Sequence, residues 1–434
     1  MAEPSPDFSP PDQIARTQQQ RWASQCRYVR DHSPFFQRLW PTGINSPGLG
    51  DLHLLPLCDK EMLRRSQAEV PPFGDYLAAG RNRVVRVHRT SGTTGRAMNL
   101  ALSQADAAQT AEVGARAQRA AGLKPGHRVV HCLNYQLWMG GVTDHTTLEM
   151  AGATVIPFGV GSSELLIRTI LELDVDAISC TPSYPQVLER VIEEDFPQLS
   201  PRDLGLKLGL FGGEAGLDDA GFRSRLESIW GFAARNANYG VSDVFCNFAG
   251  QCEHGGDLHF VGLDVLYPEI VDPRTGAGLP WEQGAEGELV LTHLARECQP
   301  LVRFRTGDAV TLTGTGPCTC GRAAPRFRVI GRLDDMVVVR GVNLFPTAVG
   351  AVVSEFAELS GEYRILLEGN GPYQRLPLEV ELRPGQAPTA RLAEALAASI
   401  RKRLQVTAHV SLASAQSLPR TEGKTRRVIR APRT

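Results

Sequence analysis

The sequence has no run of about 18 uninterrupted apolar residues, so no membrane-spanning helix is expected. It also lacks an excess of charge of either sign. Lys plus Arg number 46 and Asp plus Glu 47, for a formal net charge of -1. No global field exists to draw in nucleic acid or an anionic membrane, so an anionic ligand must be met by a local site. Residues 1–11 are rich in Pro, Ser and Asp and lack the apolar stretch of a signal peptide. The nine cysteines are scattered over a long chain with no secretory signal, so a disulfide framework is not expected. Reduced thiols and a cytoplasmic location are the expectation. There is no internal repeat and no long low-complexity segment.

What is present is an ordinary globular composition, 42% hydrophobic and 21% charged, in 434 residues. That length exceeds one ordinary core and predicts two or three domains. Residues 12–39 carry apolar and aromatic positions at helical spacing, at Ile14, Trp22, Tyr28, Phe35 and Phe36. From residue 84 onward, short apolar runs alternate with helical patterns. Strands are expected at 84–87, 128–133, 153–157, 175–180 and 206–211, and helices at 105–121, 164–173 and 183–194. This rhythm predicts an α/β fold with a mostly parallel, helix-covered sheet. After residue 244 short strands and turns dominate, read as a small β subdomain over about 245–330. Strands at 363–367, 376–382 and 410–412 flank a strong helix at 390–404. They predict a small α+β C-terminal domain over 335–434, leaving 1–333 as the large N-terminal domain.

The clearest chemical signal is His88-Arg89-Thr90-Ser91-Gly92-Thr93-Thr94-Gly95-Arg96 after a strand. Glycines admit positive φ, so successive main-chain N–H groups can converge, and the hydroxyls add donors for a polyphosphate. The Gly-Lys-Ser/Thr ending of a Walker A loop is missing. Four further motifs follow in order: Asn238-Tyr239-Gly240-Val241-Ser242-Asp243, Phe304-Arg305-Thr306-Gly307-Asp308, Gly331-Arg332-Leu333-Asp334-Asp335-Met336, and Pro419-Arg420-Thr421-Glu422-Gly423-Lys424.

These five segments resemble the adenylate-forming superfamily of acyl-CoA synthetases, luciferases and peptide-synthetase adenylation domains. The resemblance is nearer to phenylacetate-CoA ligases and related aryl-CoA ligases, through Arg86-Val87-His88, Thr181-Pro182-Ser183-Tyr184, Pro268-Glu269-Ile270 and Gly341-Val342-Asn343-Leu344-Phe345-Pro346. It runs over nearly the whole chain, which also resembles ligases that activate anthranilate and similar benzoates in secondary metabolism.

The resemblance implies two half-reactions, in which a carboxylate displaces pyrophosphate from ATP and a thiol then displaces AMP. Both move negative charge, a task for preorganised donors. It implies that Thr90, Ser91, Gly92, Thr93, Thr94 and Gly95 hold the β- and γ-phosphates, and that Lys424 reaches the α-phosphate and the carboxylate. Asp308 accepts the ribose hydroxyls, Arg332 holds ribose or phosphate, and Tyr239, with Asn238 and Gly240, meets adenine. Gly213, Glu214 and Ala215 line the base and acyl region. Asp243 stands where the family usually has a magnesium-contacting Glu; its shorter side chain suits a water-bridged contact. Asp334 matches the family's hinge, about which the C-terminal domain turns to bring Arg340, Gly341 and Asn343 to the pantetheine tunnel. Tyr135, Trp138, Gly140, Gly141, Ala215 and Val241 are candidates for the acyl pocket, where an aromatic acid needs a flat apolar slot.

ATP, magnesium and coenzyme A are therefore the expected cofactors, and a small aromatic carboxylic acid the expected substrate. Two other readings stand beside this one: transfer of the acyl group to a carrier-protein thiol, and a catalytically silent nucleotide-binding protein. A homodimer is the base-rate expectation. Separately, Cys318-Thr319-Cys320-Gly321 with Cys252 and His259 has the composition of a closed Cys₃His structural zinc site. His254 and Cys298 are alternative ligands.

Overall fold

In a computed structural model of the chain, residues 5–44, 46–90, 97–214, 216–340, 342–369, 373–419 and 427–431 are described. The chain divides into two compact units. The first comprises Met1–Gly213, Leu226–Thr306 and Val310–Arg328, and the second Glu214–Arg225, Gly307–Ala309 and Val329–Thr434.

The first unit is organised by parallel strands in the spatial order Thr154–Ile156, Arg128–His131, Ala177–Cys180, Leu208–Gly212 and Ala233–Val241. Ala177–Cys180 and Leu208–Gly212 are buried at every position, which is why they read as unbroken apolar runs rather than as alternation. Helix Gln104–Ala120 starts at a capping box: Asp106 N–H donates to Ser103 Oγ and Ser103 N–H to the Asp106 carboxylate, each at 3.1 Å. It crosses helix Met139–Met150 at Gly114, where a Cβ would lie 2.3 Å from Thr147.

Two local expectations are revised. The helical stretch at 12–39 is two helices, Pro11–His32 and Pro34–Leu39. They part at Ser33, held extended by the proline that follows it. The strands of residues 245–330 do not stand apart as a sheet of their own. Phe245–Gln251 folds back antiparallel onto Ala233–Val241, and the later strands continue outward to make one eleven-stranded mixed sheet. Turn-rich sequence marked the strands correctly, but nothing local reports which edge a strand pairs with.

The second unit carries a four-stranded sheet in the order Ala408–Ala413, Leu376–Leu382, Leu359–Glu368 and Val428–Ala431. Helices Pro346–Val353 and Ala390–Leu404 supply Val349, Val353, Leu396 and Ile400 to its core, against Ile365, Leu367, Leu378 and Val380. Thr389 caps the longer helix, and Arg401, Lys402 and Arg403 complement its C-terminal dipole. Among the described residues no helix is long and apolar enough to cross a membrane.

Candidate active site and a thiol–imidazole cluster

In open α/β sheets, ligands bind beyond the carboxyl ends of the parallel strands. In the first unit those ends bring together many of the residues singled out from sequence. Gly159 follows Thr154–Ile156, Tyr135 and Trp138 follow Arg128–His131, Thr181 follows Ala177–Cys180, and Gly213 follows Leu208–Gly212. The Trp138 ring lies against two glycines: a Cβ would be 3.0 Å from it at Gly140 and 3.6 Å at Gly213. Gly213 also has φ +81, a conformation suited to glycine. A Cβ at Gly141 would meet the Asn134 carbonyl at 2.5 Å. These glycines thus admit neighbouring protein atoms, not only open space for a ligand.

Asn238, Tyr239, Gly240 and Val241 form the end of strand Ala233–Val241 rather than a loop after it. Gly240 is dictated by close approach, since a Cβ there would sit 1.8 Å from the Cys246 carbonyl oxygen. Tyr239 is half-buried and packs edge-on to Phe248 and Phe327, with centroids 5.3 and 5.4 Å away. Val241 is buried.

Beneath the strand end lies a carboxyl group that the sequence reading passed over. Asp144, fully enclosed, accepts hydrogen bonds from Asn238 Nδ2 and, at 3.4 Å, from Cys246 Sγ. Burial outweighs these bonds and pushes its pKa up to about 7, from 3.8. The folded state therefore keeps a proton that the unfolded state releases, and stability falls as pH rises between those two values. Asp144→Asn removes the titration. We expect its stability to exceed that of the parent by a margin that grows from about pH 4 to pH 8, reaching a few kcal/mol and read as a rising difference in melting temperature. Paired thermal melts across that range check this; a margin independent of pH contradicts it.

Asp243 follows in the turn after this strand, closed by Val244 N–H to Val241 O at 2.8 Å. Its carboxylate is buried, with Oδ2 accepting from Lys60 Nζ at 2.8 Å and Oδ1 without a hydrogen-bond partner among the described residues. Lys60 opens helix Lys60–Glu69, 183 residues away in sequence, and no local pattern pointed to it.

Residues 90–98 connect two antiparallel strands, Val84–Arg89 and Asn99–Ser103, whereas a Walker A loop leads from a strand into a helix. Thr90, buried at its base, exchanges hydrogen bonds of 3.0 Å with Met98: its N–H donates to Met98 O and its Oγ1 accepts from Met98 N–H. Ser91, Gly92, Thr93, Thr94 and Gly95 lie outside the described residues, as do Ala215, Gly341 and Lys424.

In the second unit, Arg332 bridges two carboxylates. Its Nη1 donates to Asp308 Oδ1 at 2.9 Å and its Nε to Asp334 Oδ1 at 3.1 Å. Burial alone would push the guanidinium pKa down; Asp308 and Asp334 outweigh it and hold it above the usual arginine range. Gly307, at φ +75, lets the arginine approach, for a Cβ would lie 2.9 Å from Nη2. The carboxylates of Asp308 and Asp334 thus share one cation. Glu214 belongs to the same unit. Arg340 occupies the left-handed region at φ +51, in the two-residue connection between strands Val337–Val339 and Val342–Leu344, where positive φ matches strand twist. Asn343 pairs with Val338 across that ribbon. The segment containing Lys424 is tied at both ends: Leu418 N–H donates to Glu381 at 2.9 Å, and Arg427 pairs with Glu362 at 2.6 Å.

Also in the first unit, Cys252, His259, Cys318 and Cys320 place one ligand atom each within 4.8 Å of all the others. Cys252 Sγ is 3.9 Å from Cys318 Sγ, and Cys320 Sγ is 3.7 Å from His259 Nε2. Tetrahedral coordination at a Zn–S distance of about 2.3 Å spaces its ligands by about 3.8 Å. Gly321, at φ +85, closes the thiol turn by donating its N–H to Cys318 O at 2.9 Å. Although burial raises it, hydrogen bonds from Cys320, Thr319 and Cys252 bring the Cys318 thiol down to about 7. Burial lowers His259 to about 4, keeping a neutral imidazole. His254 is exposed, and neither it nor Cys298 joins the group.

Residues 341–431 match the AMP-binding enzyme C-terminal domain. The chain is 33% identical to phenylacetate-coenzyme A ligase of Thermus thermophilus, over 99% of each chain. It is 32% identical to the enzyme of that name from Escherichia coli, over 96% of this chain and 94% of the other. The crystal structure of a 2-hydroxyisobutyryl-CoA ligase in complex with 2-HIB-AMP, in its postadenylation state, superposes with a TM-score of 0.88 at 30% identity. It covers 97% of this chain and 90% of that one. Full-length similarity of this degree shows that the chain belongs to the phenylacetate-coenzyme A ligase family of AMP-forming acid–thiol ligases.

Proposed function

We propose that this chain condenses a small aromatic carboxylic acid with ATP to an aryl-adenylate, and then with coenzyme A to an aryl-CoA. The observation that carries the aromatic reading is the Trp138 ring laid against Gly140 and Gly213 beside Tyr135, a flat surface at the carboxyl edge of the sheet. The name shared by the curated relatives supports it.

In the first half-reaction a carboxylate oxygen attacks the α-phosphorus, and the bond to pyrophosphate breaks. Thr90 to Gly95 cradle the leaving phosphates, Lys424 neutralises charge on the α-phosphate, Asp308 takes the ribose hydroxyls, and Tyr239 meets adenine. Gly213, Glu214 and Ala215 border the base and the acid, with Val241 and Gly141 behind. In the second half-reaction a thiolate attacks the acyl carbon and AMP departs. Rotation about Asp334 exchanges Lys424 for Arg340, Gly341 and Asn343 along the thiol arm.

Asp243 fits a hard cation: its unpartnered, buried Oδ1 is an oxygen ligand in want of charge. Bound magnesium would neutralise the phosphate oxygens, with Asp243 as its protein ligand and Lys60 holding the carboxylate in place. The thiol–imidazole group fits zinc in donor type and spacing, and with four protein ligands its role is structural.

Mass-spectrometric detection of aryl-CoA and AMP, formed only when ATP, acid and CoA are all present, tests the reading. Adenylate that accumulates with CoA but is discharged by a phosphopantetheinylated carrier protein reassigns the acceptor. No adenylate from any aromatic acid overturns the function.

A further inference from the structure

A cavity of about 500 Å³ opens in the first unit, within the size range of small-molecule sites. None of the residues assigned above to the active site or to the thiol–imidazole cluster lines it. Strand Leu266–Val271, at the edge of the eleven-stranded sheet, contributes Tyr267 and Glu269, which stand two positions apart and so share a face. The Pro268-Glu269-Ile270 motif thus borders this cavity. Phe260 and Trp281 add aromatic wall. The charged groups of the lining are of one sign. Asp7, Asp264 and Glu269 line the cavity, and among the described residues no lysine or arginine does; His53 is the one base on its wall. The arginines that balance these carboxylates stand outside the lining: Arg116 at 3.4 Å from Asp7 and 2.9 Å from Asp264, Arg21 at 3.3 Å from Asp264, and Arg303 at 3.0 Å from Glu269. Asp7 is served least, for its ion pair is the longest of the four and Arg116 is held more closely by Asp264. Burial pushes the Asp7 pKa up to about 6 against the pull of Arg116 and Arg322, and burial raises Glu269 against Arg303. Carboxylates so placed gain from a further cation.

We propose that this cavity is a second ligand site, which binds a small organic cation: an amine with an apolar or aromatic body. The body lies against Phe260, Tyr267 and Trp281, whose ring faces also attract an ammonium group. The ammonium pairs with Asp7. The same three carboxylates repel a carboxylic acid or a nucleotide, so the site discriminates against the ligands of the proposed reaction by charge. It therefore does not depend on that reading, and it is specific for a ligand of opposite charge.

The test is calorimetric titration of the full chain, without ATP, acid or CoA, using 2-phenylethylamine and its uncharged counterpart 2-phenylethanol as probes. It is run at about pH 8, where an alkylamine is protonated and an ordinary histidine is neutral. The amine should bind about tenfold more tightly than the alcohol, the margin of a charged hydrogen bond over a neutral one. Asp7→Asn should bring the two affinities together by weakening the amine and leaving the alcohol unchanged. Trp281→Ala, a change at a partly exposed side chain, should weaken both probes and keep their ratio. If Asp7→Asn does not fold, Trp281→Ala decides alone whether the probes occupy this cavity. Equal affinity of amine and alcohol in the parent, no binding of either, or binding that Trp281→Ala leaves unchanged overturns the inference. Each of these results leaves the ligase reading intact, because the titration contains no reactant of that reaction.

Discussion

Lys424→Ala should abolish adenylate formation yet leave the enzyme able to make thioester from supplied acyl-AMP and CoA. The reason is the separation of tasks. A compact ammonium is needed while negative charge builds at the α-phosphate and the attacking carboxylate. In the second half-reaction AMP is already a good leaving group, and the lysine has no charge to stabilise. Losing one preorganised charge at a transition state typically costs about 10²–10³ in rate, and more where that charge also positions the substrates. The stems of the segment are fixed by Leu418 to Glu381 and Arg427 to Glu362, so a truncation at residue 424 should leave the domain folded. Single-turnover assays of the two halves measure the split directly. An equal loss in both would remove Lys424 from its assigned role.

Removing the metal from the thiol–imidazole group should have the second large effect, on stability rather than on chemistry. The site joins a residue just past strand Phe245–Gln251, one on strand Leu258–Phe260 and a turn at Cys318 to Cys320, with Cys318 standing 66 positions after Cys252. The turn is also where Ala323 N–H donates to Asp7 O at 2.9 Å and Arg322 covers the Phe8 ring at 5.0 Å. With zinc gone, the four side chains lose the bonds that tie these pieces of chain together. Metal binding is folding free energy in such sites, and its loss here should cost several kcal/mol, lowering the melting temperature by roughly 10 °C. Elemental analysis should find one zinc per chain. Chelation and Cys252→Ala should each release it and lower the melt alike. A metal-free protein whose melt does not respond to chelator contradicts the assignment.

Local signals account for what was legible in the sequence. Periodicity separated the parallel strands from their covering helices because burial on both faces leaves a continuous apolar run, as in Leu208–Gly212. The composition of the CxCG turn was enough to nominate its partners, since thiols and imidazole have few other reasons to gather. What escaped was set by distance along the chain. The Lys60–Asp243 pair and the buried Asp144 under Asn238 join residues with no shared local pattern. Strand Val428–Ala431 was not foreseen, because it is short and its meaning lies in parallel pairing with Leu359–Glu368. Gly140 and Gly141 were candidates for the acyl pocket; the neighbours that crowd those glycines, Trp138 and Asn134, come into view only with the fold.

Activation of an aromatic carboxylate through its adenylate is measured by exchange of labelled pyrophosphate into ATP, without CoA, across a panel of aromatic and aliphatic acids. Exchange should depend on an aromatic acid, require magnesium and disappear in Lys424→Ala. Exchange supported only by aliphatic acids, or by none, would contradict it.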